Sequence, residues 1–180
     1  YKSWSGYEGN KRVTVNFQGK SEYLPTMGEN LRFFFSYQIN WMYLRYFMWN
    51  YAGRQNDEQG HGNIYDGNWQ SGLNFIDKHR LGDQTLIPDY QKNNPSNNKF
   101  YYLPLLLGLI GLVFHFLKDK KTAWIVSVLF VMTGLAIIVF LNQKPLEPRE
   151  RDYAFAASFY AFAVWIGLSV MAFYEAYVKM

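Results

Sequence analysis

Apolar and polar positions divide this chain into two unlike halves. From Phe100 onward three uncharged stretches follow one another: Phe100 to Leu117 (18 residues), Ala123 to Leu141 (19) and Ala154 to Tyr174 (21), the last stopping at Glu175. A hydrocarbon core about 30 Å thick takes roughly 20 helical residues at about 1.5 Å each. Every stretch meets that length, the first only just, so the pattern predicts transmembrane helices over about 100–117, 123–141 and 154–174. The competing reading is three buried helices of a large soluble protein in direct succession.

Small residues recur at helical spacing in the third stretch: Ala154 with Ser158, and Ala157 with Ala161. Positions four apart share a helix face, and small side chains there let backbones approach closely. Gly108, Gly111 and Gly134 offer matching surfaces on the first two stretches. His115 falls near the end of the first, where a neutral, hydrogen-bonded or snorkelling imidazole is expected.

Residues 1–99 read differently. Arg12 to Phe17 alternates as a half-exposed strand does, closed by Gly19. Pro25 precedes Met27-Gly28-Glu29-Asn30, which can open a helix with Asn or Gly near its cap. Leu31 to Ala52 carries ten aromatic residues in 22, with Arg32 and Arg45 but no Pro or Gly. Projected at about 100° per residue, Arg32, Ser36, Asn40 and Asn50 share one side while Gln38 and Arg45 share another. A helix over about 29–52 therefore meets polar groups on two sides and packs on several. Three placements are open: an interfacial helix at the headgroups, a helix buried against neighbouring spans, or a fourth span. Two arginines in the hydrocarbon core cost about 2.5–3.5 kcal/mol each, which ranks the last of these lowest. A short helix is expected within Asp66 to Arg80, and Lys92 to Lys99 reads as a polar linker.

Composition sharpens the division. Residues 1–99 hold 20 of the 32 charged side chains, so a mean hydropathy of −0.21 describes neither half. Aromatics at 20% suit a membrane–water boundary, and equally an aromatic-lined sugar site. Cysteine is absent, which removes disulfides and thiolate metal sites. A scattered net charge of +4 is not the footprint of a nucleic-acid binder. The chain opens at Tyr1 without a signal-type segment, as expected of an internal or C-terminal piece of a longer protein.

Orientation follows from the basic residues. The turn after the first span holds Lys118, Lys120 and Lys121, and basic residues crowd cytoplasmic membrane ends. Residues 1–99 and 142–153 are then expected outside the cytoplasm.

Two external segments are dense in groups that bind ligands. The first runs from Gly53 to Asn63, with the guanidinium of Arg54, the amides of Gln55 and Asn56, the carboxylates of Asp57 and Glu58, and the imidazole of His61. Glycines punctuate it, and it can hold a pyrophosphate, a sugar hydroxyl or a cation. It matches no phosphate-loop, dinucleotide or zinc spacing, and no metal site or cofactor is evident. A solvated loop bonded to itself is the plainer reading. The second is Arg149-Glu150-Arg151-Asp152 behind Pro148, four charges at the mouth of the third span that can grip an anionic headgroup or simply mark the membrane edge.

Met27 to Asn40, the Gly53-to-Gly62 loop and Pro148-Arg149-Glu150-Arg151-Asp152-Tyr153 together resemble the large bacterial multi-pass proteins grouped with protein O-mannosyltransferase-like glycosyltransferases, membrane glycosyltransferases of the class C type. The resemblance covers about residues 27–175. It implies transfer of a sugar, expected to be mannose, from a polyprenyl-phosphate donor to a Ser or Thr hydroxyl of a protein acceptor outside the cytoplasm. It places the catalytic acid in an early external loop of the whole protein, beyond this chain. Within the chain, Arg54, Arg149 and Arg151 are expected to neutralise the carrier phosphate, with Gln55, Asn56, His61, Glu150 and Asp152 as further substrate contacts. Asp57 is the one candidate for a base or cation ligand. The expected architecture is an all-α membrane protein: three transmembrane helices, an aromatic-rich interfacial helix and a loop-rich external segment. The competing class is a non-enzymatic membrane module, a transporter segment or scaffold. That class predicts an intramembrane polar pathway, and the three stretches are almost free of ionisable groups.

Overall fold

A computed structural model describes residues 2–6, 13–17, 20–58, 60–83, 85–145 and 152–180. The chain is mostly helical. A short helix α1 (Lys2–Ser5) precedes strands β1 (Val13–Phe17) and β2 (Lys20–Leu24), which pair antiparallel with Val13 opposite Leu24. The alternation of 12–17 marks the first strand; Lys20-Ser21-Glu22-Tyr23-Leu24 carries no comparable alternation, and only pairing reveals it.

The aromatic segment is one helical stretch, α2, made of an α-helix Met27–Phe33, a π-helix Phe34–Leu44 and an α-helix Arg45–Tyr51. Its cap is Thr26 rather than Asn or Gly. The Thr26 hydroxyl accepts from the Glu29 N–H at 3.3 Å, and the Thr26 N–H donates to the Glu29 carboxylate at 2.7 Å, a reciprocal capping box. Across the π segment each turn is wider than an α-turn, so faces drift from an even 100° projection.

Both polar positions on the buried side of α2 find protein partners. The Gln38 amide donates to Asn142 Oδ1 at 3.0 Å and to the Gln143 carbonyl at 3.2 Å. Arg45, only 2% exposed, donates to the carbonyls of Trp41 and Gly67 and lies 4.4–4.8 Å from the rings of Trp41, Tyr46 and Trp49. On the same stretch Tyr43, Phe47 and Tyr51 meet Phe155, Phe159 and Phe162 of the last helix. Aromatic pairs of this geometry add about 0.5–1.5 kcal/mol each beyond area burial. The helix is packed against protein on several sides.

Residues 53–99 cap this end of α2. Strand β3 (Gly53–Arg54) pairs antiparallel with β4 (Asn98–Lys99), and two short helices lie between them, α3 (Asn74–Leu81) and α4 (Asp89–Lys92). The helix expected within 66–80 starts only at Asn74, because Gly67 and Gly72 adopt φ of 66° and 86° and turn the chain before it. Asp77, buried, accepts from the Ser71 N–H, the Ser71 hydroxyl and the Gly72 N–H.

Three apolar helices complete the chain: α5 (Leu103–Lys118), α6 (Lys120–Leu141) with a π turn at Met132–Ala136, and α7, which opens with a 3-10 turn Asp152–Phe155 and continues as Ala156–Val178. Two are long and apolar enough to cross a membrane: Lys120–Leu141, with 22 residues, and Tyr153–Val178, with 26. The first expected span is a shorter helix of 16 residues. Tyr101 and Tyr102 take left-handed φ of 52° and 58°, which removes the first three residues of the apolar run from the helix.

Some of these small residues sit where helices meet. A Cβ on Gly108 would strike the Phe162 ring, and one on Gly111 would strike the Trp165 carbonyl, so these two glycines let α5 press against α7. Ser158 and Ala161 are fully buried, whereas Ala157 is exposed. His115 is held by bonds at both ring nitrogens: Trp165 Nε1 donates to Nδ1 at 3.3 Å, and Nε2 lies 2.9 Å from the Thr122 hydroxyl. At the same turn Asp119 caps α6, and its bonds from Thr122 and Lys121 hold its carboxyl below the usual range. Lys118 pairs with Glu175 there. The Lys118–Lys121 turn thus lies at one end of the bundle. Residues 53–99, the end of α6 and the start of α7 gather at the other.

Candidate functional site

Arg54, from the first of the two segments singled out by their chemistry, shares a cleft with the start of α7 at that second end. Its walls are Tyr46, Trp49 and Asn50 of α2, Arg54 just beyond it, and Tyr153, Ala156 and Phe159 of α7, around a space of about 160 Å³. Tyr46, Trp49 and Asn50 recur at i, i+3 and i+4, so the end of α2 presents them together. Arg54 is delivered by the turn through Gly53, whose φ of 137° suits glycine and whose missing Cβ leaves room for the carbonyls of Asn98 and Gln70.

Arg54 behaves unlike the other stacked arginines. Arg45 and Arg80 each lie against aromatic rings and each donate to backbone carbonyls, Arg80 to Trp69 at 3.1 Å. Burial pulls the Arg80 pKa below its ordinary value, opposed by Tyr102 and Asp77. The Arg54 guanidinium lies 4.5 Å from the Trp49 ring, yet its side chain makes no hydrogen bond or ion pair among the described residues. Its Nε is buried and unpaired. So is Nε1 of Trp49, a residue 7% exposed. A buried donor without an acceptor costs about 1–3 kcal/mol, and both of these belong to residues that line the cleft.

The neighbouring loop residues serve the loop itself. The Gln55 amide donates to the Ile64 carbonyl at 3.0 Å and accepts from the Asn68 side chain at 3.0 Å. The Asn56 amide donates to the Tyr65 carbonyl and accepts from the Gly67 N–H. Gln70 and Asn97 extend this lattice of amides to the β3–β4 pair. Gln55 and Asn56 are therefore spent on holding the turn in shape, and they do not line the Arg54 cleft. His61 is on an exposed bend away from it.

Asp57 is exposed and also off the cleft. The Asn94 amide donates to it at 3.2 Å, and this bond, with help from its own backbone and Ser96, holds its carboxyl below the usual range. A carboxylate so held is a weaker proton acceptor than an ordinary one. Among the described residues no group of three or more His, Asp and Glu is placed to hold a metal ion.

Arg149, Glu150 and Arg151 lie outside the described residues. Asp152 opens α7, and the next residue, Tyr153, is already on the cleft. Reading the residues one by one finds Arg54 and misses Trp49, Asn50 and Tyr46. Their shared helix face is legible, but an indole N–H left without a partner is a property of the tertiary structure. No family model, no curated protein and no solved structure gives a significant match to this chain.

Proposed function

We propose that the chain is part of a membrane-embedded glycosyltransferase that moves a sugar, mannose by the resemblance noted above, from a polyprenyl-phosphate carrier to a protein hydroxyl outside the cytoplasm. The observation that carries this reading is the unpaired Arg54–Trp49 donor pair at the mouth of an apolar helix bundle. A lipid-linked phosphate needs a cationic, donor-rich cleft beside hydrocarbon, and the Arg54 cleft beside the apolar helices supports that reading.

The exposed apolar surface supports placement in lipid. Only 11% of the most apolar window of α6 is buried, and Trp124, Ile125, Val128, Met132, Val139 and Phe140 all face outward. Contiguous surface of this kind is costly in water and natural in a bilayer. On this reading α5 crosses as well. Its 16 residues span about 24 Å, and Phe100, Tyr101 and Tyr102 supply the boundary aromatics that let a short helix fit. The Lys118–Lys121 turn is then cytoplasmic and the cleft external, in a bacterial inner membrane.

In this picture Arg54 neutralises the carrier phosphate, and Arg149, Glu150, Arg151 and Asp152 are expected from the sequence alone as further substrate contacts. The catalytic group belongs to a part of the protein outside this chain. Asp57, off the cleft and held as a carboxylate, is not assigned the role. The test is a transfer assay on the full-length protein with polyprenyl-phosphate-mannose and a Ser/Thr peptide. Mannosyl peptide, reduced at least tenfold by Arg54→Ala, is expected; substrate flux into liposomes without sugar transfer would favour a transporter instead.

A further inference from the structure

We infer that a groove in the cap of residues 53–99 docks a segment of a partner protein, one that offers an apolar side chain next to a carboxylate. The groove has two compartments, which share Gln55, Ile87 and Gln91 as walls. None of its residues lines the Arg54 cleft, so the inference stands whether or not the chain transfers sugar.

The larger compartment, about 200 Å³, is walled by Ile64, Tyr65, Leu81, Leu86, Ile87 and Pro88. Leu86 is 82% exposed, Tyr65 63% and Ile64 45%, and apolar surface gathered in this way marks contact with another molecule. The polar groups beside it are taken. Gln55 bonds Ile64 and Asn68, the Gln91 amide donates to the Tyr65 carbonyl at 3.4 Å, and Asp83 holds Thr85 and Lys78. A sugar would find few partners there, whereas a leucine-sized side chain meets apolar walls.

The smaller compartment, about 70 Å³, adds Lys92 and Lys99 beside Gln70 and Asn97, with no carboxylate among its described walls. Lys92 gives one of its three donors to the Thr85 carbonyl at 3.1 Å, and Lys99 forms no ion pair among the described residues. Two ammonium groups in such a wall favour an anion. Asn97 donates to the Gln55 carbonyl at 3.0 Å and accepts from the Gln70 amide at 2.7 Å, while the β3–β4 pair sets Lys99 opposite Gly53. The groove is therefore shaped before a ligand arrives. A polypeptide carries both required groups on neighbouring residues.

The probe is a fluorescein-labelled peptide with Leu-Glu-Leu at its centre, titrated by anisotropy against the detergent-purified full chain. Leu-Lys-Leu and Ala-Glu-Ala peptides and unlabelled N-acetylleucine are parallel arms. Leu-Glu-Leu should bind about tenfold more tightly than either other peptide. Lys99→Glu should weaken it about tenfold and strengthen Leu-Lys-Leu, an exchange that general damage cannot produce. Leu86→Ser should weaken both, and the exposure of Leu86 lets the fold absorb the change. If Leu86→Ser does not fold by circular dichroism, the exchange at Lys99 carries the test. Equal binding of the Glu and Lys peptides, or no exchange in Lys99→Glu, overturns the inference, as does Ala-Glu-Ala binding as tightly as Leu-Glu-Leu. N-acetylleucine binding as tightly as the peptide would give the groove to a small acid, and chain dimers that the peptide disperses would give it to a second copy. Either result overturns the partner assignment.

Discussion

The hydroxyls of Tyr43 and Ser158 lie 2.6 Å apart, and both close over Gly134, where an added Cβ would fall 2.6 Å from each oxygen. Ser158 also donates to the Phe130 carbonyl at 2.9 Å. One polar knot therefore joins α2, α6 and α7, at the π turn that carries Gly134. In a medium without water such groups must satisfy one another, and here they do so within the bundle.

Gly134→Ala should break this knot. The methyl group has no room, and overpacking of this kind costs about 1–3 kcal/mol. Thermal unfolding in detergent checks it: a clear fall in Tm is expected, and an unchanged Tm would mean that the three helices do not meet as described.

Asp77 organises the cap in a comparable way. It receives two backbone N–H groups and one hydroxyl at 2.7–3.0 Å while buried. Asp77→Ala strands those donors and should cost about 2–4 kcal/mol, since bonds to a charged acceptor are the stronger kind. Limited proteolysis should then cut near Gly72 while the apolar helices stay protected. Resistance equal to that of the unaltered chain would contradict this.

The half-exposed Asp83 makes a pH prediction. The Thr85 hydroxyl and N–H donate to it, Lys78 pairs with it at 3.1 Å, and its pKa is lowered to about 2. A carboxylate lowered on folding stabilises the fold above its unfolded value, about 3.9, and loses that contribution as pH falls toward the folded value. Thr85→Val removes the hydroxyl, the largest cause, and should raise the pKa. A carboxyl-detected NMR titration giving the same midpoint for both proteins would refute the assignment.

These elements were unequally legible in the sequence. Length and hydropathy locate the three apolar helices, because each is one long uncharged run. They cannot say that Tyr101 and Tyr102 turn left-handed and shorten the first helix. Thr26-x-x-Glu29 is a plain capping signature, hidden here by the nearer Gly28 and Asn30. The π segment of α2 leaves no periodic trace, since a projection at 3.6 residues per turn presupposes the answer. The loop from Gly53 to Asn63 shows the limit for sites. Gln55, Asn56 and Arg54 look equally suited to a ligand as residue types. Only contacts separate two amides that bond their own turn from a guanidinium and an indole that bond nothing described.

The proposed function requires the bundle to cross a membrane with its lysine turn in the cytoplasm, and the absence of cysteine from residues 1–180 makes this directly measurable. Asn63→Cys, Val128→Cys and Lys120→Cys place single thiols on the cap, on the exposed apolar face of α6 and in the lysine turn. Treated with a membrane-impermeant maleimide, intact bacteria should label position 63, label position 120 only after permeabilisation, and leave position 128 unlabelled until the protein is denatured. Equal labelling of all three in a fraction recovered without detergent would show that water, not lipid, surrounds these helices.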